Sequence, residues 1–401
     1  MNVLLLTHRL PFPPNRGDRV RAFHIIRHLQ QRAQVHVVSL VHDAAEAAHV
    51  PALEKTGVRV TIARVPRLRN LARAAAALAT DQILTHVLLD SPEMQGAIDS
   101  AVRQTPPDVV IAYCSGVARY ALRAPLDELP LVIDFVDVDS AKWRDFAASA
   151  RPPMRWLYQR EARLLAAFEA AAAERARAAT VVNEREQRAL EAIAPRGNIH
   201  VLPNGVDADH LHPDGPPSVE QRVIFPAVFN YRPNSDGAIW LAREVWPLVT
   251  TLLPNARLTL AGASPTGAVR ALARRDKTIE VTGAVPDMRP YLWRSAVAVA
   301  PLFLARGVQN KVLEAAAAGL PCVVTPAVRN GLPPEVLPAC QTADTPVEFA
   351  NAIIQLLLLS PSARRRVARS AVLAPLSWNT RLASLDELLY DAQVGALAAG
   401  A

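Results

Sequence analysis

Apolar positions in this chain fall into short, almost unbroken runs separated by stretches of helical spacing. In the first half the runs are Val3 to Leu6, Val35 to Val41, Val58 to Ala63, Val109 to Tyr113, Leu131 to Phe135 and Ala179 to Val182. Runs this short and apolar on both faces predict strands buried within a parallel sheet. Between the first two, Val20, Phe23, Ile26 and Leu29 recur at helical spacing, with Asp18 after Gly17 as the expected N-cap. Strand–helix alternation of this kind predicts a doubly wound α/β domain.

The pattern then restarts. Arg222 to Val228, Arg257 to Ala261, Thr278 to Val281, Val297 to Pro301 and Cys322 to Thr325 form a second set of predicted strands. The stretch from Leu202 to Pro217 is rich in turn formers and reads as the linker. Two Rossmann-like α/β domains are therefore expected, residues 1–205 and 206–380, with a terminal helix and tail over 381–401. Ligands of such sheets bind at the carboxyl ends of the strands, so two sets of loops are expected to face each other across a cleft.

Composition changes this picture little. The 401 residues are 51% hydrophobic and 20% charged, an ordinary globular balance that excludes wholesale disorder. The start, Met1 to Leu10, lacks a basic region and a cleavage site and reads as a strand, not a signal peptide. Every apolar stretch long enough to span a bilayer is interrupted by charge, so no membrane-spanning helix is expected. Cys114, Cys322 and Cys340 are odd in number and far apart. They argue against disulfides and a cysteine zinc site, and fit a cytoplasmic location. His24 and His28 have helical i,i+4 spacing but no third ligand nearby, so no metal is expected.

Charge adds a candidate surface. The net charge of +7 comes almost wholly from arginine, with lysine only at Lys55, Lys142, Lys277 and Lys311. One cluster is Arg64, Arg67, Arg69 and Arg73; another is Arg151, Arg155, Arg160 and Arg163, beside Trp156, Leu157 and Tyr158. These suggest peripheral contact with an anionic membrane, an ordinary solvated helix face being the alternative. No nucleic-acid partner is expected.

The richest chemistry lies in Arg306-Gly-Val-Gln-Asn-Lys-Val-Leu-Glu314, which leads from a predicted strand into an alanine-rich helix ending at Gly319. Unpaired N–H groups and the helix dipole favour anions at such a helix start. Glu314, further in, is placed to accept hydrogen bonds from the hydroxyls of whatever carries the phosphate. A nucleotide-linked substrate with a sugar as cargo is the expected ligand.

Further motifs occur in a fixed order. They are Pro14-Asn-Arg-Gly17-Asp-Arg-Val-Arg21, Ile133-Asp-Phe-Val-Asp137-Val-Asp139-Ser-Ala-Lys142-Trp143, Leu202-Pro-Asn-Gly-Val-Asp207 and Asn230-Tyr-Arg-Pro-Asn234. Leu260-Ala-Gly262, Val281-Thr-Gly283-Ala-Val-Pro-Asp287, Val299-Ala-Pro301-Leu and Ser377-Trp378 follow. With these motifs the chain resembles the family 4 glycosyltransferases of the GT-B fold. Within them it is most similar to the sugar transferases associated with PEP-CTERM/exosortase exopolysaccharide clusters. The resemblance implies a retaining, metal-independent hexosyl-type transferase with a donor-binding C-terminal domain and an acceptor-binding N-terminal domain. The co-substrate would be a UDP- or GDP-linked sugar, with no other cofactor. The acceptor would be a saccharide or a lipid-pyrophosphate-linked chain at the inner face of the cytoplasmic membrane. The final helix is expected to cross back onto the first domain, as in relatives.

Glycosyl transfer needs charge stabilisation of the departing diphosphate and an acceptor hydroxyl in fixed geometry. Lys311 suits the diphosphate as a point charge, against the alternative of an i,i+3 pair with Glu314. Arg232 offers a guanidinium fork to phosphate oxygens. The resemblance assigns Glu314 to the nucleotide ribose and places Gly283 in the donor site. Family members carry a second glutamate where this chain has Arg306, which exchanges an acceptor for a cation near the donor sugar. Gly307, Val308, Gln309 and Asn310 remain as backbone or side-chain donors to that sugar. Ala227 stands where glycine is usual, restricting approach of a phosphate to the backbone.

On the acceptor side, Gly17 permits close approach of a ligand, surrounded by Arg16, Asp18, Arg19 and Arg21. This segment is readable as a phosphate loop or as a charged helix start. Asp137 is the candidate to orient or deprotonate the acceptor hydroxyl, with Val136 where relatives place histidine. Asp139 is a further acceptor-side candidate, with an N-cap as its competing role. A nucleotide-sugar epimerase on the same fold, or an inert nucleotide-sugar-binding partner in polysaccharide assembly, are the alternative functions.

Overall fold

The structure, a computed structural model, describes residues 1–399 apart from Arg16, Asp214 and Arg306, with the side chains of Asp18 and 393–399 also outside the description. It divides into two compact units, Met1–Pro203 with Leu382–Ala401, and Asn204–Arg381.

In the first unit β1 (Asn2–Thr7), β2 (Gln34–Val41), β3 (Arg59–Arg64), β4 (Val109–Tyr113), β5 (Leu131–Val136), β6 (Ala178–Val181) and β7 (Ile199–Val201) form one sheet among the described residues. Its order is β3-β2-β1-β4-β5-β6-β7, and every pairing is parallel. The central strands are buried on both faces, which is why they read as continuous apolar runs. Leu4, Leu6, Val110, Ala112, Ile133 and Phe135 form part of one core with the helices over that face. The chain order reverses between β1 and β4, the place where doubly wound sheets open a crevice at their carboxyl ends. Helix Gly17–Leu29 follows β1 and begins at Gly17, so Asp18 lies in its first turn and is not the N-cap.

In the second unit β8 (Arg222–Pro226), β9 (Arg257–Ala261), β10 (Ile279–Gly283), β11 (Val297–Ala300), β12 (Cys322–Val324) and β13 (Cys340–Thr342) form a parallel sheet in the order β10-β9-β8-β11-β12-β13. The same reversal recurs between β8 and β11. Val228 and Pro301 fall beyond their strands. After Pro226 the chain still bonds to the β9 side, through Ala227 N to Ala261 O (2.9 Å) and Phe229 N to Ala263 O (2.9 Å), but no longer as a regular ladder.

The terminal helix is Trp378–Ala399, and its residues from Leu382 onward belong to the first unit. There His28 Nε2 donates to Asp386 Oδ1 at 3.0 Å, and Arg32 pairs with the same carboxylate.

Candidate functional site

In the second unit the chemistry gathers at the carboxyl ends of β8 and β11, on the two sides of the reversal. Helix Asn310–Ala317 follows β11. Its apolar side, Val312, Leu313, Ala315, Ala316 and Ala317, is buried, while Lys311 and Glu314 on the other are largely buried but keep some surface. The helix stops where Gly319 takes φ +78°, a left-handed conformation that glycine adopts without a Cβ penalty. Gln309 occupies the N-cap position, and its side chain does not cap the opening N–H groups of the helix.

Lys311 does not pair with Glu314 by direct contact. Its Nζ donates to Asn234 Oδ1 at 2.9 Å and lies 4.9 Å from the centroid of the Phe225 ring. Burial pushes the Lys311 ammonium down to about 7, with Glu314 opposing. Burial likewise raises the Glu314 carboxyl, with Lys311 opposing. Each group is thus held in a setting where an incoming partner of opposite charge or a hydroxyl would restore its charged form. Asn310 adds an acceptor: its Oδ1 is buried and has no hydrogen-bond partner.

Asn234 is the residue the sequence reading left without a role. It is buried in helix Arg232–Trp240, and its Nδ2 donates to Val228 O at 2.9 Å. One side chain therefore ties the loop after β8 to the lysine after β11. The two segments are pressed together at Gly237, where a Cβ would stand 2.3 Å from Pro301 O. Gly262, after β9, takes φ +141°, and a Cβ there would lie 2.0 Å from Ala227 O. The close approach at this corner is thus met by Gly262, across from Ala227.

The remaining donor candidates are spread around this core. Arg232 opens its helix, exposed, with Nε 3.3 Å from Asp236 Oδ2. Gly307 is buried at φ +66°, and Val308 and Gln309 are half-buried beside it. Gly283 ends β10 at φ +70°, with open space where a Cβ would be. Arg306 lies outside the described residues.

The first unit corrects the acceptor-side reading at Arg21. Its guanidinium is fully buried and bidentate, Nε to Asp134 Oδ2 at 2.7 Å and Nη2 to Asp134 Oδ1 at 3.0 Å. Thr180 Oγ1 donates to the same carboxylate at 3.0 Å. Arg21 is thus a strut from its helix to β5, its guanidinium turned to Asp134 and away from solvent. Gly17 is exposed with nothing within 4 Å of a Cβ position, so packing does not demand a glycine there. Arg19 is held by Glu46 at 3.0 Å. Arg16 and the side chain of Asp18 lie outside the described residues.

Asp137 is half-buried just past β5. Val136 before it sits at φ +65°, where β5 and β6 slip register. A β-branched residue in that region stores strain of about 1–3 kcal/mol, a feature typical of sites and switches. Asp139 opens helix Asp139–Ser149, but its carboxylate does not cap it. It accepts from Ser115 Oγ (2.7 Å) and Lys142 Nζ (3.1 Å). Against the burial that opposes charge, Lys142 and Ser115 hold Asp139 below the usual carboxylate range. Behind it Glu169 is pushed up to about 8 by burial and by Asp139. Sequence reading also passed over Cys114, at φ +75° after β4, whose Sγ lies 3.3 Å from His8 Nδ1. Among the described residues no three His, Cys, Asp or Glu side chains gather as a metal cluster, and no helix is long and apolar enough to cross a membrane.

Two family models match. Residues 16–205 match one described as a glycosyl transferase 4-like domain, and residues 220–358 match one described as glycosyl transferases group 1. The chain belongs to the glycosyltransferases. Solved structures agree on the fold. Sucrose-phosphate synthase from Thermosynechococcus elongatus is 15% identical, with TM-score 0.71, covering 98% of this chain and 100% of that one. HepE from Anabaena, in complex with UDP and glucose, is 15% identical, with TM-score 0.68 and the same coverage. TarM from S. aureus, with UDP among its ligands, is 11% identical, with TM-score 0.69, covering 97% and 99%. The glycosyltransferase thus has the GT-B fold expected from its motifs. No curated protein matches it by sequence.

Proposed function

We propose that this glycosyltransferase moves a hexosyl group from a UDP- or GDP-linked sugar to a saccharide or a lipid-pyrophosphate-linked acceptor. The observation that carries the donor half is Lys311, held by Asn234 beside Glu314 and the unsatisfied Asn310 at the carboxyl ends of β8 and β11. The anomeric carbon–oxygen bond breaks toward the diphosphate, whose growing charge Lys311 and Arg232 offset. Glu314 accepts from the ribose hydroxyls, while Gly307, Val308, Gln309 and Asn310 line the sugar. Gly283 leaves room for the donor. UDP in the HepE and TarM complexes supports such a donor.

For the acceptor, Asp137 orients the attacking hydroxyl and receives its proton or directs it toward the leaving phosphate. Retention of configuration, independence of metal, and a place in exopolysaccharide or cell-envelope glycan synthesis follow the resemblance to the PEP-CTERM/exosortase-associated transferases. So does action at the inner face of the cytoplasmic membrane, and so does assignment of the acceptor to residues 1–205, the donor to 206–380 and a bracing role to the tail. Incubation with a panel of radiolabelled nucleotide sugars and a membrane extract tests the reading. Transfer of label to lipid or saccharide is expected. An unaltered panel, with no nucleoside diphosphate bound, would sink it, and release of an epimerised sugar without acceptor would replace it.

A further inference from the structure

One helix of the first unit turns its apolar stripe outward. Helix Arg67–Ala77 faces the protein with Asn70 and Ala77, and Asn70 Nδ2 donates to the carbonyls of Leu88 (3.2 Å) and Asp90 (2.7 Å). On other sides stand Leu68 and Leu71 and, just past its end, Leu78, which are 84%, 49% and 51% exposed. At helical spacing these leucines share one stripe with Ala75. Apolar stripes ordinarily pack inward, and contiguous exposure of this kind marks an interaction surface.

A second helix extends the patch. Arg160 of helix Met154–Arg175 donates to the carbonyls of Ala77 (3.0 Å) and Gln82 (3.0 Å), so it lies against the end of the first helix. One turn earlier on the same side is Trp156, 65% exposed, with Met154 also exposed. Around the leucines and tryptophan, Arg67, Arg151 and Arg155 are exposed. On the flank Arg69 and Arg73 are taken up by Asp90.

We propose that this surface docks on an anionic lipid bilayer. The helix lies along the interface, leucines among the upper acyl chains, Trp156 at headgroup level and the unpaired arginines on lipid phosphates. The arginine rim favours this occupant, because an apolar protein face would leave those cations without counter-charge. The proposal rests on the membrane-side acceptor above, yet it uses none of the donor-site residues.

Flotation of the full chain with vesicles of phosphatidylcholine alone, and of phosphatidylcholine mixed with phosphatidylglycerol, tests it. Binding is expected only to the anionic vesicles, weakened by salt. It should fall at least about tenfold in the Leu68→Asp/Leu71→Asp double variant and also in Trp156→Ala. Thermal midpoint and nucleoside diphosphate binding, read on the same samples, should stay as in the parent, which separates failure here from failure of the transferase reading. Absence of vesicle binding, or equal binding by the double variant, overturns the proposal. So does a double variant that alters only the oligomeric state, since the face would then join copies of this chain.

Discussion

Lys311 is held in place by Asn234 and, on the proposed function, meets the donor diphosphate there. With its ammonium pushed down to about 7, the folded chain releases at neutral pH a proton that the unfolded chain keeps to about 10.5. Stability should therefore rise with pH through that window on account of this group. Binding of a nucleoside diphosphate runs the other way, because the complex favours the charged lysine and takes a proton up. Affinity should fall by up to about tenfold per pH unit above 7, with proton uptake visible by calorimetry in buffers of different ionisation enthalpy. In Lys311→Ala the slope above pH 7 should vanish.

Glu169 is the opposite case. Its raised pKa means the folded state binds a proton between the ordinary carboxyl range, near 4.5, and about 8, so stability falls as pH rises through that window. Glu169→Gln should keep a hydrogen bond from Ser140 N and raise the thermal midpoint, most clearly above pH 8. Neither setting was legible in the sequence. Spacing alone left Lys311 open to a diphosphate or to an i,i+3 pair with Glu314, and only the fold brings Asn234 to its ammonium. Arg21 read as part of a phosphate loop or of a charged helix start, because its partner Asp134 lies 113 positions away.

At the scale of elements the sequence was most readable where burial is complete. Strands such as β4, buried at every position, leave a short apolar run whose length and flanking turn formers mark it as a strand. The three-residue strands β7 and β13 are mostly half-exposed edge strands and left no such run. Contacts between elements were hidden as well. Gly237 has no positive φ to explain it; it is needed because helix Arg232–Trp240 lies against the end of β11. Gly237→Ala should push that helix away from Pro301 and carry Asn234 off Lys311. A destabilisation of about 1–3 kcal/mol by denaturant titration is expected, with a clear loss of nucleotide affinity. Unchanged affinity would mean that the Asn234–Lys311 bond is not what positions the site.

At the scale of the whole molecule, the restart of the hydrophobic pattern foretold two sheets, and each unit repeats the same reversal of strand order. That repetition places chemistry twice, after β8 and β11 and after β1, β4 and β5. The residues proposed for the donor could be named from sequence because they follow one another along a single loop and helix. In the first unit the local arrangement was less legible, because His8 follows β1, Cys114 follows β4, and Val136 and Asp139 stand at the end of β5, far apart in sequence. The central claim is that Lys311 and Glu314 hold a nucleoside diphosphate. Isothermal titration of UDP and GDP into the parent, Lys311→Ala and Glu314→Ala tests it most directly. One of the two nucleotides should bind the parent, and either substitution should weaken that binding by about tenfold or more. Failure of both nucleotides to bind the parent, or binding by both variants as tight as the parent's, would contradict the account.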